Sequence, residues 1–420
     1  MSITRTCAVV ACTLVALQAG AQDPHMAKAL RVLRTTPLID GHNDLPWAIR
    51  IFKGGARDVD AYDLSKRTAG HTDIARLRAG MLGGQFWSVY IPGDVKDSGF
   101  AKIQLEQIDI AQRVFRKYPA TFQPALTAGD VRRAFAAHKI GSLMGMEGGH
   151  AIENSLGALR AYYGMGVRYM TLTHNVTLDW ADAANGQQHH GGLTRFGEEV
   201  VHEMNRLGML VDLAHTSPST MSDALTVSEA PVIWSHACAR AITDVPRNVP
   251  DSILQRVPRN GGVVMIAFVP GFLSQKVADY SVQRRAKLVQ LQGQFGPDTA
   301  GLNRELVAWD KEHPAARATI ADVADHIDHV RKVAGVDHVG IGSDYDGVDD
   351  LPVGLEDVSR YPVLFAELSR RGWSEGDLRK LAGENVLRVL ARAEQVAARL
   401  QRTVHPSTRT IQELDGKSRM

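Results

Sequence analysis

The chain alternates short β-rich apolar runs with longer segments whose apolar residues recur at helical spacing. The runs lie at residues 38–39, 85–91, 142–146, 168–173, 209–213, 232–234, 262–269 and 338–341. Helical periodicity marks 100–117, 155–163, 196–207, 320–333 and 361–371. Strands alternating with helices in this way predict an α/β fold, a (β/α)8 TIM-like barrel, with a doubly wound open sheet as the alternative that strand counting leaves open. Two stretches exceed the repeat. Residues 274–317 are charged and helix-prone and read as a helical insertion after the seventh strand; 179–195, rich in Gly, Asn and His, read as a long loop after the fourth. Long loops at the C-terminal face of a barrel shape pockets, so His189 and His190 in that loop are candidates to touch substrate.

The polar residues that close the runs carry the chemistry. The first run continues as Asp40-Gly41-His42-Asn43-Asp44; Glu147 closes the third, His174 the fourth, His215 the fifth, His236 the sixth and Asp344 the eighth. In a parallel barrel these ends share one face, where barrels of this kind keep their active sites. A single histidine or His-x-Asp after a strand is ordinarily a hydrogen-bonded structural residue, but convergence of so many strand ends is not explained that way. His42, Asp44, Glu147, His215 and His236 form a donor set suited to zinc or another borderline divalent metal. Glu147, with two oxygens, is the natural bridge between two ions about 3.5–4 Å apart. The chemistry expected of such a centre is hydrolysis.

Composition narrows the class. At 420 residues and 44% hydrophobic content the chain can bury a large core, and a net charge of +2 argues against nucleic acid or an anionic membrane as partner. Residues 1–21 read as an export signal: Arg5, an apolar core over 7–17, and Ala19-Gly20-Ala21 before Gln22. A buried N-terminal helix, or a lipoprotein-type cleavage box ending at Cys12, are the competing readings. The mature protein is then expected outside the cytoplasm, periplasmic or secreted, with a barrel over 22–400 and a polar, loosely held extension over 401–420. Beyond the signal only Cys238 remains, which excludes an intrachain disulfide and reads as a small core residue. The longest other apolar stretch, 261–273, is too short to cross a bilayer, and the C-terminal end lacks the apolar tail of a lipid-anchor signal.

Seven segments in order resemble the signature segments of the membrane (renal) dipeptidase family. They are His42-Asn43-Asp44-Leu45-Pro46-Trp47, Met146-Glu147-Gly148-Gly149-His150, Thr171-Leu172-Thr173-His174-Asn175, Asp212-Leu213-Ala214-His215, Ser235-His236-Ala237, Arg247-Asn248-Val249-Pro250 and Gly342-Ser343-Asp344-Tyr345-Asp346-Gly347. The likeness runs from about residue 36 to about 391. It implies a barrel of the metal-dependent amidohydrolase type with two zinc ions, hydrolysis of dipeptides of L,L and also L,D configuration, and a homodimer. Carried over by position, His42 and Asp44 would hold one ion, His215 and His236 the other, and Glu147 both. His174 would polarise the scissile carbonyl, Arg247 would hold the substrate carboxylate, and Asp344 would move protons.

These roles fit elementary chemistry. Two cations lower the pKa of a shared water, and a guanidinium fork suits a free carboxylate close to the scissile bond. Plainer readings stand beside them. Arg247 reads equally as a surface-loop arginine paired to Asp244, His174 as structural, and spacing does not decide whether Asp344 or Asp346 faces the pocket. Residues 265–272 lack the Asn and Tyr expected of mammalian members, so side-chain preference stays open. Two other functions compete: a related binuclear hydrolase of another amide, lactam or lactone, and an exported metal- or peptide-binding protein without turnover.

Overall fold

The computed structural model describes residues 23–94 and 99–416; the expected export signal lies outside them. Among the described residues nine strands form, β1 Leu38–Asn43, β2 Leu82–Ser88, β3 Phe122–Pro124, β4 Ile140–Glu147, β5 Val167–Thr171, β6 Leu210–Asp212, β7 Ile233–Ala237, β8 Val263–Ile266 and β9 Val339–Ile341. Every pairing between these strands is parallel. The pairing of β2 with β4 closes the ring β1-β2-β4-β5-β6-β7-β8-β9, an eight-stranded TIM barrel, and removes the open-sheet alternative.

All eight expected runs became barrel strands. The ninth, β3, is too short for alternation to be read, and it pairs with Ile140 to Ser142 on the edge of β4 that β5 takes further along. Strands of such a barrel are covered on both faces, which is why β2 and β4 are buried along their whole length. Inside the ring Phe86 and Tyr169 pack 5.2 Å apart, and the Tyr169 hydroxyl reaches from β5 to the Gly41 carbonyl on β1.

Two buried carboxylates stitch the strand ends. Asp40 on β1 accepts the backbone N–H groups of His42 (3.1 Å) and Ser343 (2.8 Å) on one oxygen and the hydroxyls of Ser343 and Tyr361 on the other. Asp212 on β6 repeats the pattern with the N–H groups of Ala214 (3.1 Å) and Ser235 (2.8 Å) and the hydroxyls of Ser235 and Thr171. Burial pushes both carboxyls up, opposed by these donors.

The expected insertion is a pair of helices, Gln275–Phe295 and Thr299–Glu312, joined by Tyr280 stacking on Trp309 and by the Arg284–Asp310 ion pair. Cys238 is the expected core residue, its thiol pushed up to about 12 by burial. The C-terminal extension, by contrast, is not loose over its described residues, which end at 416. Ile411 is 2% exposed, and Asp415 accepts from the Thr194 hydroxyl (2.6 Å) and the Phe196 N–H (3.3 Å) at the start of helix Arg195–Leu207. One apolar anchor and one capping carboxylate hold a segment whose polar composition conceals both. Among the described residues no helix is long and apolar enough to cross a membrane.

Replacing Asp40 by Ala strands two backbone N–H groups and two hydroxyls in the interior, a loss of about 3 kcal/mol or more by thermal or urea unfolding. An unchanged melting curve would show that the stitch contributes nothing.

Candidate metal centre

The C-terminal ends of the barrel strands place the ionisable residues. His42 lies within β1 and Asp44 just after it; Glu147 ends β4; His236 lies within β7; His174, His215 and Asp344 follow β5, β6 and β9 by three residues. Two of them have unusual backbones. His215 and Asp344 adopt φ of 64° and 67°, a left-handed conformation that costs a non-glycine residue about 1 kcal/mol or more. Asp212 holds the Ala214 N–H just before His215, and Asp40 holds the Ser343 N–H just before Asp344.

Glu147 is the centre of the group. Its Oε1 lies 2.9 Å from His215 Nε2, 3.3 Å from His236 Nε2 and 3.9 Å from His174 Nε2. Its Oε2 lies 3.5 Å from His42 Nε2, and His42 Nε2 in turn is 3.1 Å from Asp44 and 3.9 Å from Asp344. The two oxygens of one buried carboxylate therefore face two different sets of donors. Three overlapping trios, His42/Glu147/His236, Glu147/His174/His215 and His42/Asp44/Asp344, each bring one atom per residue within 4.8 Å of the others.

The electrostatics fit a cation. Burial disfavours charge on Glu147, yet the charges of His42 and His174 beside it hold its carboxyl well below the usual range. Burial pushes His215 and His236 well down, reinforced at His215 by Arg247 and at His236 by His42, so both imidazoles are neutral. His42 rises against its own burial because Tyr169, Asp44 and Glu147 surround it, and burial drives Asp344 well up. Asp44 Oδ1 and His215 Nδ1 are buried with no protein partner. Carboxylate oxygens and neutral imidazole nitrogens crowded together are what a divalent cation requires.

Arg247 is buried at 3% exposure, with its Nη2 3.5 Å from the His236 carbonyl, which removes its surface-loop reading. Its guanidinium lies 5.1 Å from the Phe272 ring centre, and its Nε and Nη1 have no partner. Asp346 is turned away, accepting the His71 N–H at 2.6 Å, so Asp344 is the aspartate that faces the pocket. His189 and His190 are exposed; their backbone N–H groups bind Asp182, and neither lines the cavity.

That cavity, about 340 Å³, is lined by Asp44, Glu147, His174, His215 and Asp344, and by Trp47, Tyr90 and Asn175, to which sequence reasoning assigned no role. Trp47, Tyr90 and His174 form an aromatic wall with ring centres 5.0 and 4.9 Å apart. Strand alternation held a signal for Tyr90, which lies two residues beyond Ser88, whose hydroxyl is 3.5 Å from Glu147. Gly347 closes the floor: a Cβ there would sit 2.4 Å from both Asp344 Oδ1 and Asp44 Oδ2.

A TIM barrel with this donor set at its strand ends defines a metal-dependent hydrolase. The model of the membrane dipeptidase family (peptidase family M19) matches residues 26–404, and the chain belongs to that family. Its fold is similar to that of the probable dipeptidase PvdM from Pseudomonas aeruginosa (24% identity, 89% of this chain and 99% of that one, TM-score 0.76). It is also similar to a metallo peptidase from Rhodobacter sphaeroides liganded with a phosphinate mimic of the dipeptide L-Ala-D-Ala (25% identity, 85% and 99%, TM-score 0.70). A third relative is dipeptidase AC, a metallo peptidase of family M19 (26% identity, 86% and 99%, TM-score 0.69). The activity is metal-dependent dipeptide hydrolysis.

Gly347→Ala must push apart the Asp44 and Asp344 carboxylates. The expected result is a fall of about 100-fold in kcat/KM with the fold retained by circular dichroism; wild-type kinetics would contradict the close approach.

Proposed function

We propose that the enzyme cleaves dipeptides bearing a free C-terminal carboxylate, using two zinc ions. His42 and Asp44 hold one, His215 and His236 the other, and Glu147 both. The observation that carries this reading is the division of the two Glu147 oxygens between two donor groups, beside the unpartnered Asp44 Oδ1. Zinc at this centre would supply Lewis-acid activation of a water and of the amide carbonyl near neutral pH.

The remaining residues divide the work. Asp344, on the cavity wall, takes a proton from the attacking water and returns it to the leaving amine. His174, in the same wall, donates an N–H to the carbonyl oxygen as negative charge develops there. The unpartnered Arg247 donors receive the substrate carboxylate, which fixes its distance from the scissile bond. A cavity of about 340 Å³ suits a molecule of two residues. The Rhodobacter relative's L-Ala-D-Ala mimic supports the dipeptide reading and extends it to a D-residue at the C-terminal position.

We place the protein outside the cytoplasm, with a mature chain beginning at Gln22, on the pattern of residues 1–21, and as a homodimer by the family likeness. A hydrolase of amides, lactams or lactones that lack a carboxylate would have no use for a buried arginine with free donors. A binding protein without turnover would have none for His174 and Asp344 in the pocket wall.

Elemental analysis of purified protein, with hydrolysis assays on L,L and L,D dipeptides, tests this reading; absence of bound divalent metal, or activity that survives a chelator, would overturn it. Arg247→Ala should weaken kcat/KM for dipeptides about 30-fold or more while leaving the already poor rates on dipeptide amides unchanged; equal loss on both would remove its role in carboxylate recognition. Asp44→Asn keeps the shape but removes the charge, so metal occupancy and activity should fall with the fold intact. Unchanged activity would place that ion's ligands elsewhere.

A further inference from the structure

His236 is held from behind by a chain of hydroxyl contacts. Its Nδ1 lies 2.9 Å from Ser235 Oγ, and Ser235 Oγ lies 2.7 Å from Asp212 Oδ2, which also takes the Thr171 hydroxyl. All of these groups are buried. Serine has one hydroxyl hydrogen, and the four donors gathered on Asp212, two on each oxygen, offset its burial and keep it an acceptor. The Ser235 hydrogen therefore goes to Asp212, and the serine oxygen accepts from His236 Nδ1–H. The other ring nitrogen, Nε2, is left with its lone pair facing Glu147 Oε1 at 3.3 Å and His215 Nε2 at 3.0 Å. The other Asp212 oxygen accepts the Ala214 N–H and so shapes the turn into His215.

We propose that Asp212 and Ser235 are positioning residues that lock His236 in the Nδ1–H tautomer and orient His215, so that one carboxylate builds both imidazole ligands of one metal position. The proposal rests on the reading of the cluster as a two-metal centre. Its consequence is asymmetric. Disturbing Asp212 weakens the ion on His215 and His236 and spares the ion on His42 and Asp44, whose imidazole is backed separately by the Tyr169 hydroxyl at 2.8 Å from His42 Nδ1.

Asp212→Asn is the sharp variant. The amide oxygen must stay with the Ala214 and Ser235 N–H groups, which need an acceptor, so the amide nitrogen faces the Ser235 and Thr171 hydroxyls. Ser235 then becomes an acceptor there, its hydrogen turns toward His236 Nδ1, and the imidazole hydrogen moves to Nε2, where it blocks ligation. The two zinc dissociation constants of the purified mature chain, measured by competition with a chromophoric chelator, should show one site weakened about 10–100-fold and the other unchanged. Nitrogen-15 NMR should report Nδ1–H for His236 in the wild type and Nε2–H in the variant. Ser235→Ala removes the relay without inverting it and should weaken the same site by a smaller factor. It also carries the test if circular dichroism shows that Asp212→Asn does not fold.

Wild-type constants at both sites in the folded variants, or Nε2–H on His236 in the wild type, would overturn the proposal. If the wild-type chain takes up no zinc, the two-metal reading fails by itself. The wild-type tautomer on the same sample then still decides the relay, Nδ1–H supporting it and Nε2–H overturning it.

Discussion

A carboxylate buried at the end of β4 is the constraint on which the rest depends. Glu147 cannot carry its charge in the barrel without compensation, because a desolvated anion costs several kcal/mol unless it is paired. The barrel answers by converging imidazoles on it from β1, β5, β6 and β7, His42 on one oxygen and His174, His215 and His236 on the other. Asp44 and Asp344 stand behind His42, so acceptors outnumber the protein's own positive groups. Carboxylates crowded in this way are what a cation relieves, and Arg247 acts on Glu147 and Asp344 from the side, its Nη2 held at the His236 carbonyl.

Holding so many like groups together requires a rigid frame. Asp40 and Asp212 provide it at two places on the ring, each gathering an N–H two residues ahead, an N–H from a serine in or just after the neighbouring strand, and two hydroxyls. The residues that follow in chain order are His42 with Asp44, His215 with its left-handed backbone, His236 after Ser235 and Asp344 after Ser343. Fold stability and site geometry therefore share the same hydrogen bonds. A residue that looks structural in this layer also aims a functional one.

Much of this was legible in the chain. Period and spacing marked all eight barrel strands, and His42, Asp44, Glu147, His174, His215, His236 and Asp344 were visible as polar ends to apolar runs because a parallel barrel brings such ends to one face. Arg247 was not separable from a surface arginine by spacing, since its burial depends on Phe272 and the loop after β7, which only tertiary packing brings together. The same holds for Asp344 against Asp346, where a contact with distant His71 turns one away. Asp212 and Ser235 sat inside the quoted segments, yet their roles come from a contact between strands. The docked C-terminal segment was hidden by composition, because a single buried Ile411 and the Asp415 cap outweigh a polar sequence.

The most direct test of the central claim is the position of the metal itself. Anomalous diffraction at the zinc edge from crystals of the zinc-loaded enzyme should give two peaks flanking Glu147, one in contact with His42 and Asp44 and the other with His215 and His236. A structure with no peak in contact with the Glu147 carboxylate would contradict the account.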